Sequence, residues 1–263
     1  MRVSISALFP AYNDQYTIES MVRDVTAELR KVTDDFEVLV VNDGSRDQTG
    51  DVLNQLAHEI PQLRVIHHPQ NLGYGAALIT GFKNARRDLI FYTDGDGQYD
   101  VREIHNLLAA LGPNVDWVNG HKIRRADVWY RIWIGEAYRH CMRFLFNLAI
   151  RDVDCDFRLF RRRILDTVSL ESHSGIICVE MARKFQLAGF NMVEIPVSHL
   201  PRRHGSSQFF SIRHLTLIFA GLFKVWWSLV LLPRFRFGAL REATVSPPTL
   251  DRVRPGKVIR GSK

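Results

Sequence analysis

Two carboxylates stand two residues apart in the run Asp94-Gly95-Asp96-Gly97-Gln98. In a loop, that spacing can aim both Asp94 and Asp96 at one point, and Gln98 adds an amide oxygen. Hard cations such as Mg²⁺ or Mn²⁺ take oxygen ligands, and Mg²⁺ commonly shares itself with substrate phosphates. An ion held there would neutralise the charge on a departing diphosphate. The same residues also suit a plain turn, because Asp and Gly gather in turns for reasons of backbone geometry. Position favours the metal: the pair directly follows the apolar run 89–93, and two other polar loops are expected beside it.

Those loops carry further candidates. Asp43, in Asn42-Asp43-Gly44-Ser45, can accept hydrogen bonds from a ribose or a base edge. The same four residues suit a turn that caps the next helix, and the two roles are compatible. In Pro10-Ala11-Tyr12-Asn13-Asp14, Tyr12 could stack on a base and Asp14 could accept from it, or Asn13 or Asp14 could open a helix. Asn71-Leu-Gly73-Tyr-Gly75-Ala-Ala77 is glycine-rich but departs from the dinucleotide fingerprint and follows the third strand, not the first. Its small residues are read as letting a helix pack closely on the sheet. Basic residues recur at Lys122, Arg124, Arg125, Arg131, Arg158, Arg161 to Arg163, Arg202 and Arg203. Positions 161–163 read as a solvated face. Arg202-Arg203-His204-Gly205-Ser206 differs, since Gly and Ser beside arginines suit a loop that grips a diphosphate. His67 and His68 are adjacent and lack metal-ligand spacing, and no Ser/His/Asp arrangement stands out.

The elements that must position these groups follow from hydrophobic periodicity. Residues 3–9, 36–41, 63–66 and 88–93 are short apolar runs that read as strands buried on both faces. Between them, 14–31, 49–59 and 75–85 show helical spacing, with Ile18, Met21, Val22, Val25 and Leu29 on one stripe. This alternation predicts an α/β fold: a mostly parallel, Rossmann-like sheet with helices on both faces. Ligands of such sheets bind beyond the carboxyl ends of the strands, where 10–14, 42–45 and 94–98 all fall. Later, 101–111 and 133–150 read as helices, 115–118 and 192–197 as strands, and 120–132 and 201–208 as basic loops.

The chain has 263 residues and a formal net charge of +7. It suits an anionic partner: nucleotide, lipid phosphate, membrane surface or nucleic acid. Aromatic stacking motifs and an RNA-binding signature are absent, which argues against nucleic acid. Cys141, Cys155 and Cys178 form no CxxC pair, so neither a zinc site nor a disulfide framework is expected. The apolar run before Pro10 is too short for a signal peptide, so the domain is expected in the cytosol. Residues 215–232 are apolar except for Thr216, Lys224 and Ser228. Trp226 and Trp227 fit an interfacial belt, and basic residues flank both ends. A membrane-interface helix over 211–236 is expected, peripheral or spanning once by 215–232. Residues 237–263 read as a basic, disordered tail.

In order, these motifs resemble the family-2 inverting glycosyltransferases of the GT-A fold. They are most similar to the dolichyl-phosphate mannose synthases and bacterial polyprenyl-phosphate sugar transferases. The family's P-x-Y-N-E, D-D-G-S, N-x-G-x-x-x-A and D-x-D-G-Q stand here as Pro10 to Asp14, Asn42 to Ser45, Asn71 to Ala77 and Asp94 to Gln98. Its D-x-x-x-G-F-R is similar to Asp152 to Arg158, its acidic helix to the region of Glu180, and its R-x-x-G-x-S-K to Arg202 to Gln208. Four positions depart: Asp14 replaces Glu, Asp156 replaces Gly, Gln208 replaces Lys, and Gly120-His121-Lys122 replaces G-[ST]-R.

The resemblance implies one GT-A domain over 1–210, with a nucleotide-sugar half (1–100) and an acceptor half (101–210). It implies that Pro10, Tyr12, Asp14 and Asp43 hold the nucleotide. Asp94, Asp96 and Gln98 would hold Mg²⁺ or Mn²⁺, and Lys122, Arg131 and Arg202 would contact the donor diphosphate or an acceptor phosphate. The reaction implied is inverting transfer of a hexose from a UDP- or GDP-sugar to a polyprenyl phosphate at the cytosolic membrane face. A lipid, glycan or protein hydroxyl acceptor would need a general base, with Asp152 and Asp156 the candidates. A non-catalytic nucleotide or nucleic-acid binder is the remaining alternative. A homo-oligomer or a membrane-protein partner is left open.

Overall fold

The computed structural model of the protein describes residues 3–123, 129–201 and 221–231. Seven strands form one sheet in the order β3-β2-β1-β4-β6-β5-β7. The continuous apolar runs supply its centre. β1 (Ile5–Ala11), β2 (Phe36–Asn42) and β4 (Leu89–Thr93) are buried along their whole length. β3 (Leu63–His67) lies at the edge and is only partly buried. Alternate side chains serve opposite faces. Ala7, Phe9, Val38, Val40 and Phe91 pack with α1 (Ile18–Arg30) and α2 (Thr49–Glu59) in one core layer. Leu8, Leu39, Val41, Ile90 and Tyr92 pack on the other face with α3 (Tyr74–Asn84). The stripe Ile18, Met21, Val22, Val25 and Leu29 is the buried side of α1.

The second half completes the same sheet. A 3-10 turn (Val101–Glu103) leads into α4 (Ile104–Ala110) and then β5 (Trp117–Lys122). β5 therefore takes in positions 120–122, which were expected in a loop: Gly120 to Lys122 pair in parallel with Ile195 to Val197. α5 (Trp129–Phe146) starts four residues earlier than its periodicity suggested. The next strand, β6 (Phe157–Arg161), had no sequence signal, yet it pairs antiparallel with both β4 and β5. α6 (Ile164–Thr167), α7 (Ile177–Leu187) and β7 (Met192–Val197) follow. Arg161 and Arg162 are half-buried, so only Arg163 fits the solvated face expected of this run.

Residues 221–226 are helical and continue into a π-turn, Trp227–Leu231. Leu222 and Val230 join the core layer of α5 and α7. No helix among the described residues is long and apolar enough to cross a membrane. The rest of 211–236, the tail 237–263 and Arg202 lie outside the described residues.

One buried charge ties the sheet to its connections. Glu37 is 4% exposed and accepts from Ser6 Oγ at 2.7 Å, the Arg86 amide at 2.7 Å and the Arg64 guanidinium at 2.5 Å. Burial pushes its carboxyl up, but the Ser6, Arg64 and Arg86 hydrogen bonds outweigh burial and hold it below its ordinary value of 4.5. A carboxyl lowered by folding stabilises fully above its unfolded pKa, and that contribution is lost as pH falls through the folded value. Glu37→Gln is expected to cost about 2 kcal/mol near neutral pH, because Arg64 is partly solvated and softens the loss. In urea titrations, the variant and parent should converge below the ordinary carboxylate range. A constant gap down to strong acid would refute the assignment.

Candidate active site

Six strands deliver their carboxyl ends, and β6 its amino end, to one edge of the sheet. The antiparallel register pairs Thr93 with Phe157 and Tyr92 with Arg158. Asp94, just past β4, is therefore brought beside Asp156, just before β6. Parallel pairing of β1 with β2 likewise sets Ala11 opposite Asn42 and aligns the 12–14 and 43–45 loops.

These loops are bonded to one another. The Asn13 amide donates to Ser45 Oγ at 3.0 Å, the Arg46 amide to Asn13 Oδ1 at 2.9 Å, and the Asp14 amide to Thr49 Oγ1 at 2.9 Å. Asp14 closes its own turn by accepting from the Tyr12 amide at 2.9 Å. Thr17 Oγ1 donates to the Gly95 carbonyl at 2.8 Å, joining the first loop to the third. Gly95 sits so close that an added Cβ would lie 3.2 Å from the Pro10 carbonyl and 3.5 Å from an Asp14 carboxylate oxygen. Gly97 adopts φ +71°, a left-handed conformation open to glycine at little cost, and the Gln98 amide donates to Asp96 Oδ1 at 3.0 Å.

Asp94 is the electrostatic centre. It is half-buried, and Tyr74 at the head of α3 donates its hydroxyl to Oδ1 at 2.9 Å. Burial, then the Asp156 carboxylate, then the Asp96 carboxylate push the Asp94 carboxyl well above its ordinary value; Tyr74 and Lys122 pull it down and lose. A desolvated carboxylate with two like charges beside it is a group in want of a cation. The donor set is all oxygen, which fits Mg²⁺ or Mn²⁺. Among the described residues, no cluster of three or more His, Cys, Asp or Glu side chains is placed to hold one ion. The Gln98 side-chain amide donates to the Leu200 carbonyl at 3.2 Å, which holds the 198–200 segment against the turn.

The other expected residues divide. Pro10 is buried at the end of β1, and Tyr12 is half-exposed at the mouth. Asp43 is 3% exposed and faces inward. Its carboxylate accepts from the Leu72 and Gly73 amides, each at 2.9 Å, and lies 2.7 Å from His68 Nδ1. A carboxylate offers about four acceptor sites. Three are therefore taken in fixing the 71–73 loop that delivers Tyr74. Lys122 donates its ammonium to the Asp154 carbonyl at 2.8 Å and sits 5.9 Å from the centre of the Tyr99 ring. Asp152 is wholly buried and takes the Lys122 amide at 3.3 Å, with an Arg139 guanidinium nitrogen at 3.9 Å. Asp156 is half-buried, and its carboxylate accepts from Cys178 Sγ at 3.1 Å. Arg131 falls in α5, and its side chain is outside what the structure describes.

Three supporting residues, Tyr74, Tyr99 and Cys178, have no site role in the sequence pattern. Tyr74 lies within the glycine-rich segment, where only the small residues carry a packing signal. Tyr99 accepts from the Asp156 amide at 3.2 Å and stacks on Phe157 with centroids 5.5 Å apart. Cys178 links α7 to the 152–156 loop. Arg158, matched by the resemblance to the last residue of D-x-x-x-G-F-R, is wholly buried and donates to the Cys155 and Val153 carbonyls. Glu180, on α7, accepts from the Glu171 and Ser172 amides at 3.0 and 2.8 Å. It thereby fixes the loop whose His173 carbonyl accepts from the Gly75 amide at 2.9 Å.

Glycosyltransferase AglD of Haloferax volcanii is 30% identical over 241 residues, which cover 88% of this chain and 38% of AglD. An undecaprenyl-phosphate 4-deoxy-4-formamido-L-arabinose transferase of Enterobacter sp. is 30% identical over 222 residues, covering 82% of this chain and 65% of that protein. The chain thus spans 38% and 65% of the lengths of these two relatives. Glucosyl-3-phosphoglycerate synthase from Mycobacterium tuberculosis, solved in complex with Mn²⁺, uridine diphosphate and phosphoglyceric acid, matches 86% of this chain and 78% of its own with a TM-score of 0.67. At 18% identity, that likeness shows the fold. The family model described as Glycosyl transferase family 2 matches residues 6–169, from β1 through the acidic turn to the end of β6 and beyond, and the chain belongs to that family.

Proposed function

We infer that the chain transfers a hexose from a nucleotide-sugar to a polyprenyl phosphate, with inversion, at the cytosolic face of a membrane. The observation that carries the donor half is the Asp94 carboxylate, desolvated beside Asp156 and Asp96 at the carboxyl edge of the sheet. The polyprenyl-phosphate acceptor is supported by the name of the Enterobacter relative, and the nucleotide donor and ion by a structural neighbour solved with Mn²⁺ and uridine diphosphate.

Asp94 and Asp96 would hold Mg²⁺ or Mn²⁺, with Gln98 at the same turn, and the ion would supply charge neutralisation to the leaving diphosphate. The chain's own residues do the remaining work. Tyr12, Pro10 and Asp14 form the wall on which a base can rest. Asp43 keeps at most one acceptor site for a ribose hydroxyl, and its main effect is to hold the loop that brings Tyr74 to Asp94. Lys122 places positive charge on the acceptor side of Asp94, and Arg131 and Arg202 are assigned to the same phosphate-binding role. An acceptor phosphate oxygen attacks the anomeric carbon as the bond to the diphosphate oxygen breaks, and the electron pair leaves with the diphosphate. A phosphate monoester is already ionised near neutral pH, so this acceptor needs no base.

A hydroxyl acceptor would need one, and the two candidates are not equal. Asp152 is sealed behind the Lys122 amide and Arg139, whereas Asp156 is half-open beside Asp94. Asp156 is therefore the group that would serve, and Asp152 holds the loop.

The full chain should be incubated with radiolabelled UDP- and GDP-sugars and a short-chain polyprenyl phosphate, with Mn²⁺ or with EDTA. Metal-dependent label in an acid-labile lipid phosphate ester is expected. Donor left intact under every condition would sink the reading. Label in an alkali-stable glycoside would shift it to the hydroxyl acceptor.

A further inference from the structure

A second charged feature lies along α5 and the start of the 151–156 loop. Arg139, His140, Arg143 and Arg151 line an open cavity of about 230 Å³. Arg139 and Arg143 are one helical turn apart, as are His140 and Phe144, so bases and aromatic share a stripe of α5. Two acidic groups border the cavity. Asp152 lies 3.9 Å from Arg139, and Glu194 accepts the Arg151 backbone amide at 2.9 Å, leaving the Arg151 side chain exposed. The lining groups are all basic, and none of the proposed transfer steps uses Arg143, His140 or Arg151.

The cavity is bordered by apolar surface. Among the described residues, nine large apolar side chains are exposed, and Phe144, Leu145, Phe223 and Trp227 are four of them. Phe144 is 86% exposed, Phe223 60% and Trp227 46%. They do not arise from one sequence run. Trp226 Nε1 donates to the Leu145 carbonyl at 2.9 Å and so fastens residues 221–231 to the end of α5. Phe223 packs on Trp226 and Trp227 with centroids 6.2 and 6.1 Å apart. Leu222 and Val230 are buried with Met142 and Phe146. The two helices thus share a buried side and leave an aromatic side outward, with Lys224 exposed on it. Aromatic side chains beside a basic ring match the boundary between acyl chains and anionic headgroups.

We propose that this face, Arg143, Arg151, His140 and Lys224 around Phe144, Phe223 and Trp227, docks the domain on a bilayer of anionic phospholipid. The proposal rests on the membrane part of the reading above. It assigns that contact to α5 as well as to the apolar stretch near the carboxyl end. The bases take the headgroup phosphates, and the aromatics enter the interface.

The full chain should be tested by flotation with phosphatidylcholine vesicles, with and without phosphatidylglycerol. Binding is expected only with phosphatidylglycerol and should weaken with added salt. Each lost basic charge should lower the partition about fivefold, so the double variant R143Q/R151Q should lower it more than tenfold. Phe144→Ser should weaken binding at constant charge. A probe that needs no variant is available. Cys141 is exposed on α5, while Cys155 and Cys178 are buried, so an environment-sensitive dye can be placed there selectively. Its emission should shift blue on phosphatidylglycerol vesicles.

Equal binding to both vesicle types, full binding by R143Q/R151Q, or an unchanged dye spectrum would each overturn the proposal. So would a lipid-independent dimer that Phe144→Ser dissolves, since the face would then be a contact between copies. Transfer to short-chain polyprenyl phosphate in detergent should be unchanged in R143Q/R151Q. Loss of vesicle binding with transfer intact therefore separates this face from the catalytic reading, and absence of transfer with binding intact separates them the other way.

Discussion

Replacing Asp94 by Asn is expected to lower sugar transfer by about 10²–10³-fold while leaving the protein at least as stable as the parent. The two halves of this result come from one cause. In the free protein, the Asp94 carboxylate is desolvated and stands beside Asp156 and Asp96, so its charge opposes folding. Asn keeps the shape, and its carbonyl can still accept the Tyr74 hydroxyl now 2.9 Å from Oδ1. The fold therefore loses a repulsion and keeps its hydrogen bond. Catalysis loses the negative charge that makes the turn attractive to a divalent cation. Strain of this kind gathers at working sites, where stability and activity oppose each other. Thermal unfolding and Mn²⁺ calorimetry on the same preparation test both halves. A variant that binds Mn²⁺ as well as the parent would remove Asp94 from the metal site. A variant that unfolds early would show that its charge serves the fold.

The first half of the chain was easy to read because its strands are buried on both faces. Runs such as Phe36 to Val41 have no polar alternation to confuse with a helix, and a helix over Thr49 to Glu59 follows from one apolar stripe. The end of β4 could thus be located, and with it the Asp94–Asp96 pair. β6 was illegible for the opposite reason. Phe157-Arg158-Leu159-Phe160-Arg161 mixes large apolar groups with arginines, one of them wholly buried. No periodicity announces a buried arginine whose partners are carbonyls of its own preceding loop.

Missing β6 meant missing its antiparallel pairing with β4, so periodicity supplied no reason to put Asp156 next to Asp94, and only the family resemblance implied that it shares the site. The inward use of Asp43 was hidden similarly. An aspartate after a strand reads as a ligand contact or a cap, but its carboxylate reaches 29 and 30 residues ahead to the Leu72 and Gly73 amides. Sequence patterns locate loops well and long-range hydrogen bonds poorly, because the latter depend on register.

Arg158 makes the second large prediction. Its guanidinium is fully buried, donates to the Cys155 carbonyl at 3.0 Å and to the Val153 carbonyl, and lies 5.7 Å from the centre of the Tyr92 ring. Burial works against its charge, but Tyr92, Cys178, Asp156 and Cys155 hold it firmly protonated, above its ordinary value. It is thus a cationic floor beneath the 152–156 loop. Arg158→Met fills a similar volume and recovers the cost of burying a charge. It also leaves two buried carbonyls without their donor and removes the counter-charge to Asp156. The carbonyl losses should win, for a net cost of about 3 kcal/mol, or about 8 °C in Tm.

Arg158→Lys separates charge from shape. A lysine keeps the cation but cannot reach two carbonyls with one planar fork. Its stability should fall between parent and Met variant, and its transfer rate should fall with it, because the loop places Asp156 beside Asp94. The expected signature of a positioning role is a drop in kcat with little change in donor KM, measured well below the melting range. If Lys restores both stability and rate, charge alone matters and the fork does not. If Met is as stable as the parent, the two carbonyls find other donors and the loop does not depend on this floor.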